Sequence, residues 1–440
     1  MRKGMAWATA LLAIPVSALA QQNPPAPPPA VPPVSPRADT SPSAAKRISL
    51  DEAIRLALQH NHALLAARTT ILENQAQEIT ANLRPNPVLS WDTQFLPLFQ
   101  PSNFTADYFE NQAQFDLGIG YLFERGKKRQ HRLQAAKDQT AVTRAQVTDN
   151  ERQLTFNVSQ QFVNVLLAQS TRDLAQQDYD GFKKTVEISE SRFKAGDMSE
   201  GDLLRIKLQL LQFQSDVLNA DLSKVQALSA LRQAVGFESV PDNFDVEGDL
   251  DYQPVHAGLD DLKLLALRTR PDLQAAHLGV AAAHSQESLA EANGKRDLNV
   301  SFDYTHTGGV NSGAFFFNID LPIFDRNQGE IARTRYAITQ AQEQQNEAAE
   351  QVITDVVDAY QALHSNDQII QLYRGGYVEQ AKKSRDITEY SYKRGAASLL
   401  DFLDSERTYR ANQLAYRQAL ASYMTALEQM RQAVGTRNLP

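Results

Sequence analysis

The chain repeats itself, and the repeat is the strongest constraint on its fold. Leu50-Asp51-Glu52, followed by Leu56-Ala57-Leu58, Leu64 and Ala66-Ala67, reappears as Leu259-Asp260-Asp261, Leu265-Ala266-Leu267, Leu273 and Ala275-Ala276. Phe123-Glu124-Arg125 returns as Phe324-Asp325-Arg326, and Arg232-Gln233-Ala234-Val235-Gly236 returns letter for letter as Arg431-Gln432-Ala433-Val434-Gly435. The order is kept and the spacing hardly drifts. A unit of roughly 190 residues is too long for a solenoid array. It predicts two structurally equivalent halves in one pseudo-symmetric body.

The ends lie outside that body. Arg2 and Lys3 precede an apolar stretch through Leu11, Leu12, Ile14 and Val16, and Ala18-Leu19-Ala20 has the small-x-small form of a secretory cleavage site. The stretch is short and holds Pro15, so residues 1–20 read as a signal peptide rather than a membrane anchor. Residues 21–46 are rich in Pro, Ala and Ser and form a disordered leader without a core of its own. The chain has 0 cysteines, which excludes a disulfide framework and a lipid-carrying N-terminal cysteine. A net charge of −8 without a basic block excludes nucleic acid as a partner.

Proline marks out the helices. None occurs between Pro101 and Pro241 or between Pro322 and Pro440, and both windows are filled with Ala, Gln, Leu, Glu, Lys and Arg. Lys127 to Lys194 and Glu330 to Lys393 each read as one helix of roughly 100 Å. Apolar residues at three- and four-residue steps (Leu154, Val158, Phe162, Val165; Val352, Val356, Ala359, Leu363) form narrow coiled-coil seams. Shorter helices are expected over 49–83, 201–235, 259–293 and 399–434, two of them matching one long helix end to end. Sharp reversals fall at Lys194-Ala195-Gly196-Asp197 and Lys393-Arg394-Gly395-Ala396, where glycine allows a left-handed cap.

Four segments alternate instead. Leu89, Trp91 and Phe95 alternate with Ser90, Asp92 and Gln94, and Phe115, Leu117, Ile119 and Tyr121 alternate with Gln114, Asp116, Gly118 and Gly120. In the second half, Leu298, Val300, Phe302 and Tyr304 alternate with Asn299, Ser301, Asp303 and Thr305. Phe315, Phe317, Ile319 and Leu321 alternate with Asn318 and Asp320, although Phe316 interrupts the polar face. Strands are predicted at about 87–96, 112–123, 297–306 and 314–323, each with an aromatic face suited to lipid. Asp92, Asp116, Asp303 and Asp320 would then face a lumen, tuning cation passage or hydrating the pore. The organisation is a first repeat over 47–236, a connecting equatorial segment over 237–258 and a second repeat over 259–436.

A barrel cannot be closed by four strands, because open edges in lipid leave backbone groups unpaired. Three copies would supply twelve strands and a ring of helices. The predicted fold is therefore α plus transmembrane β. Duplicated long coiled-coil helices form a trimeric α-barrel tunnel beneath a 12-stranded outer-membrane β-barrel to which each protomer gives four strands.

On these residues the chain resembles the TolC family of outer-membrane efflux proteins, over nearly everything from Ile48 to Gly435. The motifs that carry the resemblance are the duplicated halves and the strand exits Phe123-Glu124-Arg125-Gly126 and Phe324-Asp325-Arg326-Asn327. To these are added the tip pattern Tyr392-x-x-Gly395-x-x-x-x-x-Asp401-x-x-Asp404 and its partner Phe193-x-x-Gly196-x-x-x-x-x-Asp202. The pattern is most similar to the cobalt-zinc-cadmium (CzcC-like) resistance channels. The resemblance implies a homotrimer set in outer-membrane lipid and reaching into the periplasm, docked through a periplasmic adaptor onto an inner-membrane pump of the RND type. It assigns Asp401 and Asp404 to an acidic ring at the periplasmic gate, Asp202 and Tyr392 to tip contacts that hold the gate shut, and the turns at Gly196 and Gly395 to adaptor docking. Well-known multidrug members carry an arginine where this chain has Ala397, which puts one inter-tip salt bridge in doubt. Without the family, Asp401 and Asp404 read as carboxylates complementing a helix N-terminus.

The resulting expectation is a passive efflux channel, with divalent heavy-metal cations as cargo. Multidrug efflux or type I secretion is the alternative within the class, and a periplasmic coiled-coil adaptor or scaffold the alternative outside it. No cofactor is expected, and no nucleophile-base constellation or phosphate loop points to an enzyme. His60 and His62 project to different sides of a helix and have no third ligand, and His277 and His284 likewise lack one. No metal site is expected at either place.

Overall fold

The computed structural model describes residues 46–439. The signal peptide (1–20) and all of the leader (21–46) except Lys46 lie outside the described residues. A short strand β1 (Arg47–Ile48) leads into α1 (Leu50–His60) and α2 (His62–Asn82), then β2 (Val88–Gln94), a short α3 (Ala106–Asn111) and β3 (Gln114–Phe123). The long α4 (Lys128–Lys194) and its return α5 (Glu200–Val235) complete the first half. After β4 (Asp245–Val246) the second half follows as α6 (Leu259–Thr269), α7 (Pro271–Asn293), β5 (Leu298–Thr307), β6 (Val310–Asn318), α8 (Gln328–Leu372), α9 (Val378–Lys393) and α10 (Leu399–Val434).

Helix α4 runs unbroken for 67 residues, about 100 Å at the α-helical rise. It packs against α2 over one part of its length and α5 over the other, as α8 does with α7 and α10. The expected seams are buried: Val158, Phe162 and Val165 in one core, Val352, Val356, Ala359 and Leu363 in the other. Each valine, leucine or phenylalanine among them contributes roughly 1.5–3 kcal/mol by leaving water. Within the segment 237–258, β4 pairs in parallel with β1, tying the connector to the start of the first half.

Three helices expected to be continuous are interrupted. The 49–83 helix breaks at Asn61, which caps α1 and α2 with extended backbone (φ −68°, ψ 116°). The 259–293 helix breaks at the equivalent Arg270 (φ −67°, ψ 119°), where Pro271 starts the next helix. The 330–393 helix is interrupted by a wide turn at Tyr373–Tyr377, with Gly376 at φ 114° inside it. Two adjacent glycines, Gly375 and Gly376, make that break possible.

The four strands form one antiparallel sheet in the order β2-β3-β5-β6. The fourth strand departs from expectation: it spans 310–318 rather than 314–323, because the tight turn at Gly308 and Gly309 starts the β5–β6 pairing immediately. Ile319, Asp320 and Leu321 lie beyond its end.

Candidate functional site: the sheet and the hairpin tips

Register decides what each face of the sheet carries, since directly paired residues share a face. Asp92 pairs with Asp116, Asp116 with Thr305, Gly118 with Asp303, and Ser301 with Phe316. One face therefore brings together Asp92, Asp116 and Asp303 with Ser90, Gln94, Gln114, Ser301 and Thr305. Gln94 donates to Asp92 at 2.9 Å, Gln114 to Asp116 at 2.7 Å, and Thr305 Oγ1 to Asp116 Oδ1 at 2.5 Å. Gly118 leaves the space that Asp303 occupies: a Cβ there would stand 2.1 Å from Asp303 Oδ1. Asp320 is not in this group, because it lies outside the strands and is exposed.

The opposite face is apolar and open. Leu89, Trp91, Leu117, Ile119, Phe315 and Phe317 are all exposed, Trp91 at 78 %. In water that patch is unfavourable, so it requires a cover. Strands β2 and β6 each have one unpaired edge. Among the described residues no helix is long and apolar enough to cross a membrane.

At the other end lie the two reversals. In the first, Gly196 (φ 83°) closes α4 and Ser199 caps α5, its hydroxyl accepting from Asp202 N at 3.1 Å and donating to Asp202 Oδ2 at 2.8 Å. In the second, Gly395 (φ 76°) closes α9 and Ser398 caps α10. There Asp401 N donates to Ser398 Oγ at 3.2 Å, while Ser398 N and Oγ donate to Asp401 Oδ2 at 3.2 and 2.7 Å. Asp202 and Asp401 thus do the same local work, holding the first turn of a returning helix. Asp404 sits one turn on, exposed, with Arg407 at 2.6 Å.

Tyr392 faces inward within the protomer. It is 7 % exposed and stacks on Phe402, the ring centroids 5.2 Å apart and the planes at 4°. Phe182, Val186, Ile206, Phe213 and Leu399 complete a cluster that joins the two hairpins of one chain. Burial raises the Tyr392 phenol above its ordinary pKa. Arg192 lies over the same ring at 5.6 Å.

Above the tips is a charged network that periodicity could not reveal. Arg410 of α10 donates to Asp178 of α4 at 3.0 Å and to Asp216 of α5 at 2.6 Å, with its guanidinium 4.1 Å from the Phe213 ring centroid. Burial pushes Asp178 up, against the pull of Arg410. Glu406 lies buried nearby, its carboxylate 3.7 Å from Arg385. The cluster draws its members from α4, α5, α9 and α10, so only the packing of these helices brings them together.

Among the described residues, no three His, Asp or Glu side chains are grouped to hold a metal ion. His60 and His62 flank the helix break at Asn61, and His284 lies 4.0 Å from Glu287 on the next turn.

Known proteins share this arrangement. The cobalt-zinc-cadmium resistance protein CzcC of Cupriavidus metallidurans is 26% identical over 405 residues, 89% of this chain and 90% of that protein. The pyoverdine export outer membrane protein OpmQ of Pseudomonas putida is 24% identical over 388 residues, 82% of this chain and 80% of that protein. The crystal structure of the outer membrane protein VceC from Vibrio cholerae has the same fold, with a TM-score of 0.70 at 20% identity, covering 88% of this chain and 96% of that one. The family described as outer membrane efflux protein matches residues 53–237 and 264–436, one span in each half, and the chain belongs to that family, the TolC family of outer-membrane efflux proteins.

Proposed function

We propose that the protein is the outer-membrane channel of a tripartite efflux system, passively conducting divalent heavy-metal cations from the periplasm to the exterior. The observation that carries the channel reading is the sheet: three aspartates on one face, exposed aromatics on the other, and a free edge at each side. Lipid would cover the aromatic face, and β6 of one copy would pair with β2 of the next. Three copies would give twelve strands, and the helices below would continue the lumen into the periplasm. A homotrimer also accounts for the exposed stripes Leu65, Leu72, Ile79 and Leu204, Leu208, Leu211, Leu218, Leu222, Val225, which follow a heptad period along α2 and α5.

Similarity to CzcC supports the metal cargo, as do Asp92, Asp116 and Asp303, which would attract cations. Asp401 and Asp404 would add acidic groups around the gate, Asp202 and Tyr392 would stiffen the hairpins that shut it, and the turns at Gly196 and Gly395 would dock the adaptor of an RND-type pump. The alternative cargo is a larger organic solute, favoured by the similarity to a pyoverdine exporter.

Two measurements test the reading. Purified full-length protein should be trimeric in detergent and conduct ions in a planar bilayer; a monomer without conductance overturns the channel. A deletion strain should grow poorly on zinc, cobalt or cadmium, and unchanged tolerance removes the metal cargo while leaving the channel standing.

A further inference from the structure

Helix α9 is a separate arm. Its first-half counterpart is the unbroken end of α4. In the second half the helix stops at Leu372, and the chain crosses Tyr373–Tyr377, with Gly376 at φ 114°, before α9 begins. Left-handed backbone inside a helix interrupts the hydrogen-bond ladder and leaves a pivot.

Below the pivot the duplication inverts a charge. Gly196, Asp202 and Gly236 align with Gly395, Asp401 and Gly435, which sets Lys207 against Glu406 and Glu190 against Glu389. In the first hairpin the two residues form an ion pair, Lys207 Nζ to Glu190 Oε1 at 2.7 Å. In the second both are carboxyl groups, and Glu406 is 8 % exposed.

Few charges compensate it. From α9 it meets Arg385 at 3.7 Å and Glu389, itself paired with Lys393 at 2.6 Å. From α4 it meets Asp178, and from its own helix Arg410, which is already bonded to Asp178 and to Asp216 of α5. Arg385 is shared as well, with Asp386 at 2.8 Å and the Tyr409 ring at 4.6 Å. An ionised Glu406 therefore faces two carboxylates and two arginines, each arginine already divided among other partners.

We propose that Glu406 is a proton-operated latch: with a proton on it the α9–α10 hairpin seats against α4, and without one α9 swings outward about the Gly375–Gly376 pivot. Burial is the main cause that pushes this carboxyl from 4.5 to about 6. A raised acid favours the packed arm fully below its ordinary value and loses that effect as pH rises through the raised one. Seating is thus strongest below about pH 4.5 and weakest above about 6, with a change of about thirtyfold in its equilibrium constant. That this motion gates a conduit rests on the proposed channel; the arm itself can be read separately.

The chain has 0 cysteines, so spin labels on Lys183→Cys in α4 and Ser384→Cys in α9 report the arm in the full-length assembled protein. Electron-resonance distances should be shorter and narrower at pH 5 than at pH 8, with a midpoint between about 4.5 and 6. Glu406→Gln should hold the pH 5 distribution throughout, and Glu389→Gln should lower the midpoint. Identical distributions at pH 5 and pH 8, or a response that survives Glu406→Gln, overturn the latch. Should Glu406→Gln fail to fold, an unshifted midpoint in Glu389→Gln does the same.

Discussion

Asn61 Nδ2 donates to the carbonyl oxygen of Ala234 at 3.0 Å, and Arg270 Nη1 donates to that of Ala433, the same position in the second half, at 3.1 Å. Each helix break is thereby stapled to the end of the returning helix. The glycine that follows fits closely against the break, since a Cβ on Gly236 (φ 95°) would stand 2.9 Å from His60 O. Asn61→Ala removes both the staple and the α2 cap and should cost about 2 kcal/mol. Gly236→Ala should cost about 1–3 kcal/mol from forbidden backbone alone. Chemical denaturation of the two variants checks both figures.

The second half uses a charged staple, and this makes it sensitive to pH. Arg270 is 4 % exposed and contacts Asp272 at 2.5 Å and Asp355 at 2.9 Å. Burial raises the pKa of Asp272, but the Arg270 hydrogen bond and charge outweigh it, leaving the net value below ordinary. A depressed acid contributes stability above its ordinary range and loses it as pH falls through the lowered value. Wild-type stability should therefore decline below about pH 4. Arg270→Gln should flatten that decline and lower stability at pH 7 by about 3 kcal/mol, reduced where Asp272 and Asp355 meet solvent. Thermal melts from pH 3 to 7 read both effects.

The sheet predicts opposite outcomes at adjacent residues. Trp91 is on the apolar face and Ser90 on the polar one, with partners Leu117 and Gly118. Trp91→Arg should cost about 2–4 kcal/mol in lipid and reduce recovery in the outer-membrane fraction. Ser90→Arg should still insert and should shift ion selectivity towards anions. Equal recovery of the two variants would reverse the assignment of faces.

Much of this was legible in residue order because the physics was local. Alternation fixed β2, β3 and β5 to within a few residues, and the long proline-free window fixed α4. The fourth strand slipped because Gly308 and Gly309 turn the chain back at once, so that its pairing with β5 is used up where Asn318 meets Asn299. The break at Arg270 has a local signal, the Pro271 that follows and disfavours helix at the residue before it, whereas Asn61 offers only an N-cap preference. The partners that hold both breaks, Ala234 and Ala433, lie far along the chain. Tyr392 and Asp202 could be located at the tips from sequence. The burial of Tyr392 in one cluster with Phe182 and Phe213 depends on how the two hairpins meet, whereas its stack on Phe402 lies within the second hairpin and the contact of Asp202 with Ser199 lies within one helix start.

The tip carboxylates separate structure from conduction. Asp401 belongs to the capping box with Ser398, so Asp401→Ala should cost about 1 kcal/mol locally; Asp404 has only the exposed Arg407 pair, worth about 0–1 kcal/mol. Asp401→Asn retains a side-chain oxygen for the cap while removing the charge, and Asp404→Asn removes the second charge without touching the cap. The double Asn variant should fold with wild-type stability and lose part of its cation preference, read as a shift in reversal potential across a planar bilayer under a salt gradient. Should selectivity stay the same while Asp401→Ala alone loosens the hairpin, these aspartates serve the helix start, and the cation preference must arise on the sheet at Asp92, Asp116 and Asp303.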